Sequence, residues 1–84
     1  MKHAGPLALD QLEPVLRKLR ELDGLHERKR GAFYRGSSAF LHFHEDRAGF
    51  FADLKVAGDF VRFPVNSGAE VERFLARAAR ALRE

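Results

Sequence analysis

The sequence predicts an α+β domain in which a helix, a three- or four-stranded antiparallel meander and a second helix follow one another. Three runs of alternating apolar residues, AFLHFHE, FFADLKV and DFVRFPV, lie between residues 39 and 65 and are joined by short turns. Such alternation is typical of strands with one buried face. Apolar residues spaced three and four apart precede and follow these runs, as in helices packed on one side. The economical arrangement is a two-layer sandwich with both helices on one sheet face.

Length and composition narrow the class of protein. With 84 residues, the chain is expected to form a single domain, residues 1–84. The absence of Cys excludes disulfides, thiolate metal sites and Cys nucleophiles. No apolar run is long enough to span a bilayer, and Pro, Asp and Glu interrupt the N-terminal stretch, so a cytoplasmic protein without membrane contact is expected. The formal charge of +3 and the pI near 9.8 make the surface mildly basic.

The first helix is predicted from its end signals and its apolar stripe. Asp10 and Glu13 have the spacing of a capping box, and Pro14 falls in the first turn, where a missing N–H costs least. Gly24 ends the helix. Residues 26–30 form a polar connector to a short strand near residues 33–35, whose register stays open. The buried stripe of the helix consists of Leu12, Val15, Leu16, Leu19 and Leu22.

The two turns between the long strands predict the register of the sheet. If Ala57-Gly58 is a two-residue hairpin turn, Asp53 lies opposite Arg62. If residues 46–49 form a four-residue loop, His42 lies opposite Asp53. The same register pairs Val56 with Asp59, Leu54 with Val61, Glu45 with Phe50 and Phe43 with Ala52.

This register separates an apolar face from a mixed one. The apolar face, expected to lie against the helices, carries Leu41, Phe43, Ala52, Leu54, Val61 and Phe63. The opposite face, called the outer face below, has too many Phe for a solvated surface and too many charges for a core. It carries the row His42, Asp53 and Arg62, flanked by Phe40, Lys55 and Phe60 on one side and by His44, Phe51 and Pro64 on the other.

The second helix is predicted over residues 69–82. Asn66, Ser67 and Gly68 supply its turn and cap. Its buried stripe consists of Val71, Phe74, Leu75, Ala78 and Leu82. Arg73, Arg77 and Arg80 fall within a narrow arc on the other side, an arrangement that could bind phosphates but is more typical of a solvated helix face.

The outer face is the candidate functional surface. Its predicted binding residues are His42, His44, Asp53, Lys55, Arg62, Phe40, Phe51 and Phe60. One hypothesis is an interaction or ligand-binding domain that forms a homodimer by burying this face against a second copy. Another is a small anion site in which Arg62 and Lys55 supply charge and His42 supplies a donor. No cofactor is expected.

Two other classes of function fit the outer face less well. The Phe side chains with Lys55 and Arg62 resemble single-strand nucleic-acid platforms, although the element order differs from the βαββαβ of the commonest one. His42 and His44 have a spacing that can chelate a metal with Asp53, but the guanidinium of Arg62 would repel a dication, so no metal site is predicted. No nucleophile lies within reach of His42, so no catalytic residue is assigned, and a His-based metal or hydrolytic enzyme ranks third.

The stretch GAFYRGSSAFLHFHEDRAGFFADLKVAGDFVRFPV covers about two-fifths of the chain. With its LHFH strand followed by an AD-containing strand, it resembles small bacterial proteins of unknown function. The resemblance implies a free-standing small domain and carries no catalytic residue to this sequence.

Overall fold

In the computed structural model, which describes residues 1–84, the chain forms six strands and two helices. The α+β class with an antiparallel sheet is confirmed. The expected strand number and the expected arrangement of helix, meander and helix are wrong, because a strand that belongs to the sheet precedes the first helix and the polar residues 26–29 form an edge strand rather than a connector. The elements are β1 (Lys2–His3), α1 (Pro6–Arg20), β2 (His26–Lys29), β3 (Ala32–Arg35), β4 (Ser38–Asp46), β5 (Gly49–Val56), β6 (Asp59–Pro64) and α2 (Gly68–Leu82).

The sheet has the order β2-β3-β4-β5-β6, and β1 pairs with β4 outside this path. Along one side of β4, β3 pairs with residues 38–42 and β1 pairs with residues 44 and 45. All of these pairs are antiparallel. The N-terminal strand is therefore placed beside the half of β4 that carries His44.

The predicted register of the three long strands is confirmed. His42 pairs with Asp53, and Asp53 pairs with Arg62. Ala57 and Gly58 both have positive φ, 52° and 90°, as a two-residue type I′ turn requires. The first turn is tighter than predicted, since the pairing extends to residues 46 and 49.

The predicted position of Phe40 on the outer face is wrong. Phe33 pairs with Leu41 and Tyr34 pairs with Ala39, so β4 has one extra residue at Phe40. Such a bulge breaks the alternation of side chains along a strand. The Phe40 side chain consequently belongs to the hydrophobic core and is only 3% exposed.

Helix α1 begins more than one turn earlier than predicted. Pro6 occupies its first turn and Gly5 is the N-cap, so Asp10 and Pro14 lie inside the helix. Pro is well suited to the first helical position because that N–H has no partner within the helix. The Gly5 N–H donates to the Glu45 carboxylate at 2.7 Å, which ties the helix start to β4.

Helix α2 agrees closely with its predicted bounds. The Ser67 hydroxyl accepts from the Glu70 N–H at 3.2 Å, and the Glu70 carboxylate accepts from the Asn66 N–H at 2.8 Å. Ser67 therefore caps the helix with its side chain, and the Glu70 carboxylate reaches back to the residue before the cap. Of the three arginines expected in solvent, Arg73 and Arg80 are exposed, whereas Arg77 is half-buried and holds a guanidinium nitrogen without a hydrogen-bond partner.

One core joins both helices to the sheet. Val61, expected in the apolar row, is 42% exposed because β6 is an edge strand. The core consists of Leu9, Leu12, Val15, Leu16, Leu19, Phe33, Phe40, Leu41, Phe43, Ala52, Leu54, Val65, Phe74, Ala78 and Ala81.

Neither helix has the length and apolarity needed to cross a membrane.

Candidate functional site

Two imidazoles and one carboxylate meet on the outer face. Alternation along β4 places His42 and His44 on the same side, and the register of β5 places Asp53 next to both. Nε2 of His44 lies 3.1 Å from Oδ2 of Asp53, and Nε2 of His42 lies 3.6 Å from the same oxygen. One candidate ligand atom from each of the three residues lies within 4.8 Å of the others.

The His44 side chain has unused bonding capacity. The residue is 8% exposed, yet neither ring nitrogen has a hydrogen-bond partner. Its Nε2 lies 3.1 Å from Oδ2 of Asp53 but forms no hydrogen bond with it. Buried polar atoms are nearly always paired, so the two nitrogens of His44 are candidate ligand atoms for a bound group.

Arg62 approaches the Asp53 carboxylate from β6, on the side away from the histidines. Its Nε donates to Oδ1 at 2.8 Å, and its Nη2 donates to Oδ2 at 2.9 Å. These bonds hold the pKa of Asp53 below its ordinary value, and the carboxylate raises the pKa of Arg62. Each carboxylate oxygen can accept more than one hydrogen bond. Arg62 therefore orients the Asp53 carboxylate and leaves lone pairs of its oxygens free.

His42 lies in a partly buried position that favours its neutral form. Burial is the main cause that lowers the pKa of its imidazole, and His44 adds to the effect, while Asp53 opposes it. Its ring packs edge-on against Phe60, with centroids 5.0 Å apart. Phe60 is 44% exposed and forms the outer wall of the cluster.

His3 is a member of this cluster that the sequence did not reveal. Strand β1 pairs it with His44, and the two ring centroids lie 4.7 Å apart with an angle of 29° between the planes. The ring of His42 is 5.4 Å away. A two-residue strand has no alternation to detect, so no sequence signal connects His3 with the two histidines of β4.

The other predicted site residues are more dispersed. Lys55 donates to the Ser38 hydroxyl at 3.2 Å and lies over the Phe60 ring. Phe51 is half-buried and pairs with His44 across the strands, whereas Phe40 belongs to the core. The structure thus brings together His42, His44, Asp53, Arg62 and Phe60, adds His3, and leaves Phe40 out.

A mainly apolar cavity of about 570 Å³ adjoins the cluster where β1 and β3 approach each other along β4. His3 and His42 line it together with apolar side chains that include Leu9 and Phe33. Two of the three clustered histidines therefore border open space.

Comparisons with protein-family models, with curated proteins and with solved structures found no match. The similarity to small bacterial proteins stays a prediction, and function is argued from the side chains.

Proposed function

We propose that this protein is a small binding domain whose outer sheet face holds a divalent transition-metal ion between His42, His44 and Asp53. The observation that carries the proposal is the buried His44 ring, whose two nitrogens have no hydrogen-bond partner although a carboxylate oxygen lies 3.1 Å from one of them. A neutral imidazole nitrogen is among the commonest metal ligands in proteins.

The distances between the ligand atoms suit coordination. Nitrogen and oxygen ligands lie about 2.0–2.2 Å from zinc, so two of them are about 3.4 Å apart around a tetrahedral ion and about 3.0 Å apart around an octahedral one. The distances from Asp53 Oδ2 to His44 and His42, 3.1 and 3.6 Å, lie close to these values. The ligand atoms of all three residues lie within 4.8 Å of one another, so side-chain movement that brings the two imidazole nitrogens closer would complete the site.

The chemistry of the ligands selects a class of metal. Two imidazoles with one carboxylate suit ions such as Zn²⁺, Fe²⁺, Co²⁺ and Ni²⁺, whereas Ca²⁺ and Mg²⁺ prefer oxygen ligands alone. In this proposal Arg62 is the outer partner that orients the carboxylate through its two N–H donors. The sequence counts the charge of Arg62 against a metal site. The ion pair with Asp53 offsets that charge.

The test is a calorimetric titration of untagged, chelator-treated protein with Zn²⁺ and Co²⁺. The wild type should bind one ion per chain, and His44→Ala should weaken binding about 100-fold or more, beyond the effect of losing an outer partner. His26→Ala is the matched control, because His26 is exposed on β2 and paired with Tyr34. Asp53→Asn is a second variant of nearly unchanged volume. Equal binding by the wild type, His44→Ala and Asp53→Asn would contradict the proposal.

A further inference from the structure

Three imidazoles converge at one point of the outer face. The ring centroids of His3, His42 and His44 are separated by 4.7, 4.8 and 5.4 Å. Two of these rings belong to the site proposed above, and the third comes from the N-terminal strand. The Asp53 carboxylate lies beside the pair on β4.

These separations correspond to imidazoles that share one ion. A coordinating nitrogen lies about 2.0–2.1 Å from zinc and the ring centroid about 1.1 Å further out, so two rings around a tetrahedral ion have centroids about 5 Å apart. The three observed separations lie on either side of this value.

The N-terminal strand is attached to the sheet by few other contacts. Only Lys2 and His3 pair with β4, and the Ala4 N–H donates to the Phe43 carbonyl at 3.0 Å. Residues 1–3 are exposed. His3 is the residue of β1 whose ring lies against the cluster.

We infer that His3 is the fourth ligand of the proposed metal site. This inference rests on the proposed function. Three imidazoles and one carboxylate are a ligand set that suits Zn²⁺, and a site with four protein ligands is closed, as in zinc sites that support structure. The bound ion fixes β1 against β4 and, through the adjoining Gly5 contact with Glu45, stabilises the start of α1.

The test compares two substitutions of His3. His3→Ala removes both the ring and the ligand, whereas His3→Phe keeps a stacking ring without a coordinating nitrogen. Both should bind Zn²⁺ more weakly than the wild type by about 100-fold or more, beyond the roughly 10–100-fold effect of losing an outer partner. X-ray absorption of the Zn²⁺-loaded protein should find three imidazoles in the wild type and two in either variant. Hydrogen exchange of the His3 and Ala4 amides should slow on metal binding only in the wild type.

The outcomes separate this inference from the proposed function. Wild-type affinity in His3→Ala, or two coordinating imidazoles rather than three in the wild type, would overturn the inference and leave the site of His42, His44 and Asp53 standing. Full recovery of affinity by His3→Phe would also overturn it, because the ring would then act by stacking alone. A wild-type chain that binds no metal would overturn both.

Discussion

At Asp53, side chains from two neighbouring strands approach one carboxylate. Arg62 approaches from β6 and contacts both oxygens, whereas His42 and His44 approach Oδ2 from β4. The residue is buried, so the carboxylate depends on these groups in place of water. Strand alternation and turn length predict this convergence, because Ala57-Gly58 fixes the pairing of Asp53 with Arg62.

Substitution of Arg62 is a test at the residue scale, because two interpretations predict opposite changes in the affinity for Zn²⁺. If Arg62 orients the carboxylate, Arg62→Met should weaken Zn²⁺ binding about 10–100-fold, as loss of an outer partner does in metal sites. If repulsion of the dication dominates, the same substitution should strengthen binding. Calorimetric titration shows whether the affinity rises or falls. Arg73→Met, on the exposed face of α2, is the control for loss of a positive charge.

At the scale of the element, β4 is a case in which the sequence pattern alone does not predict which face each side chain occupies. AFLHFHE alternates as an ordinary strand would, yet an extra residue at Phe40 shifts its first part relative to β3. Neither the bulge nor the two-residue strand β1 has a signature in the order of residues. The bulge depends on how β4 pairs with β3, and β1 depends on a partner about forty residues away, which is why the sequence misplaces Phe40 and misses His3.

The bulge predicts unequal roles for two phenylalanines that the sequence places together. Phe40→Ala should lower the free energy of unfolding by about 3–5 kcal/mol, the usual cost of emptying a buried aromatic position. Phe60→Ala should cost much less, because Phe60 is 44% exposed. Urea denaturation measures both values, and equal losses would show that Phe40 is not part of the core.

Helix α1 and the β2–β3 hairpin are joined by an ion cluster centred on Glu13. Its carboxylate accepts from Arg20 at 2.7 Å and from Arg30 at 2.9 Å. Hydrogen bonds from two arginines lower the pKa of Glu13 from 4.5 to about 2, and the bond from Arg20 has a larger effect than the bond from Arg30. A lowered pKa in the folded state means that the carboxylate stabilises the fold above pH 4.5 and that this contribution is lost as the pH falls toward 2.

Glu13→Gln tests the pH dependence of this cluster. The variant should be less stable than the wild type above pH 4.5, and the difference should shrink as the pH falls toward 2. Thermal denaturation across this range measures the difference, with Glu72→Gln on the exposed surface of α2 as the control. A difference that does not change with pH would contradict the assigned pKa.

At the scale of the whole molecule, most of the fold but only part of the site follows from the sequence. Regular alternation and two short turns are local features, so they predict the long strands and their register. Cap residues near Ser67 predict α2 for the same reason. The first strand and the position of His3 follow from long-range pairing with β4, and the edge strand β2 is a short polar segment without a periodic pattern.

The outer face also carries the prediction of a homodimer, which stays a prediction. The wild-type chain should sediment as a dimer, and Phe60→Glu should be monomeric yet folded, because a charge at this exposed position disrupts an interface without disturbing the core. Phe51→Glu is a second variant on the same face. Sedimentation of the wild type as a monomer at high micromolar concentration would contradict the prediction.

The central claim is that His42, His44 and Asp53 hold a metal ion, and the most direct test is a crystal structure of protein grown with Zn²⁺. The account predicts an anomalous difference peak at the zinc absorption edge within about 2.0–2.2 Å of a ring nitrogen of His44 and of an Asp53 carboxylate oxygen. A map without a peak at this site, in which ordered water or a protein donor satisfies the His44 nitrogens, would contradict it.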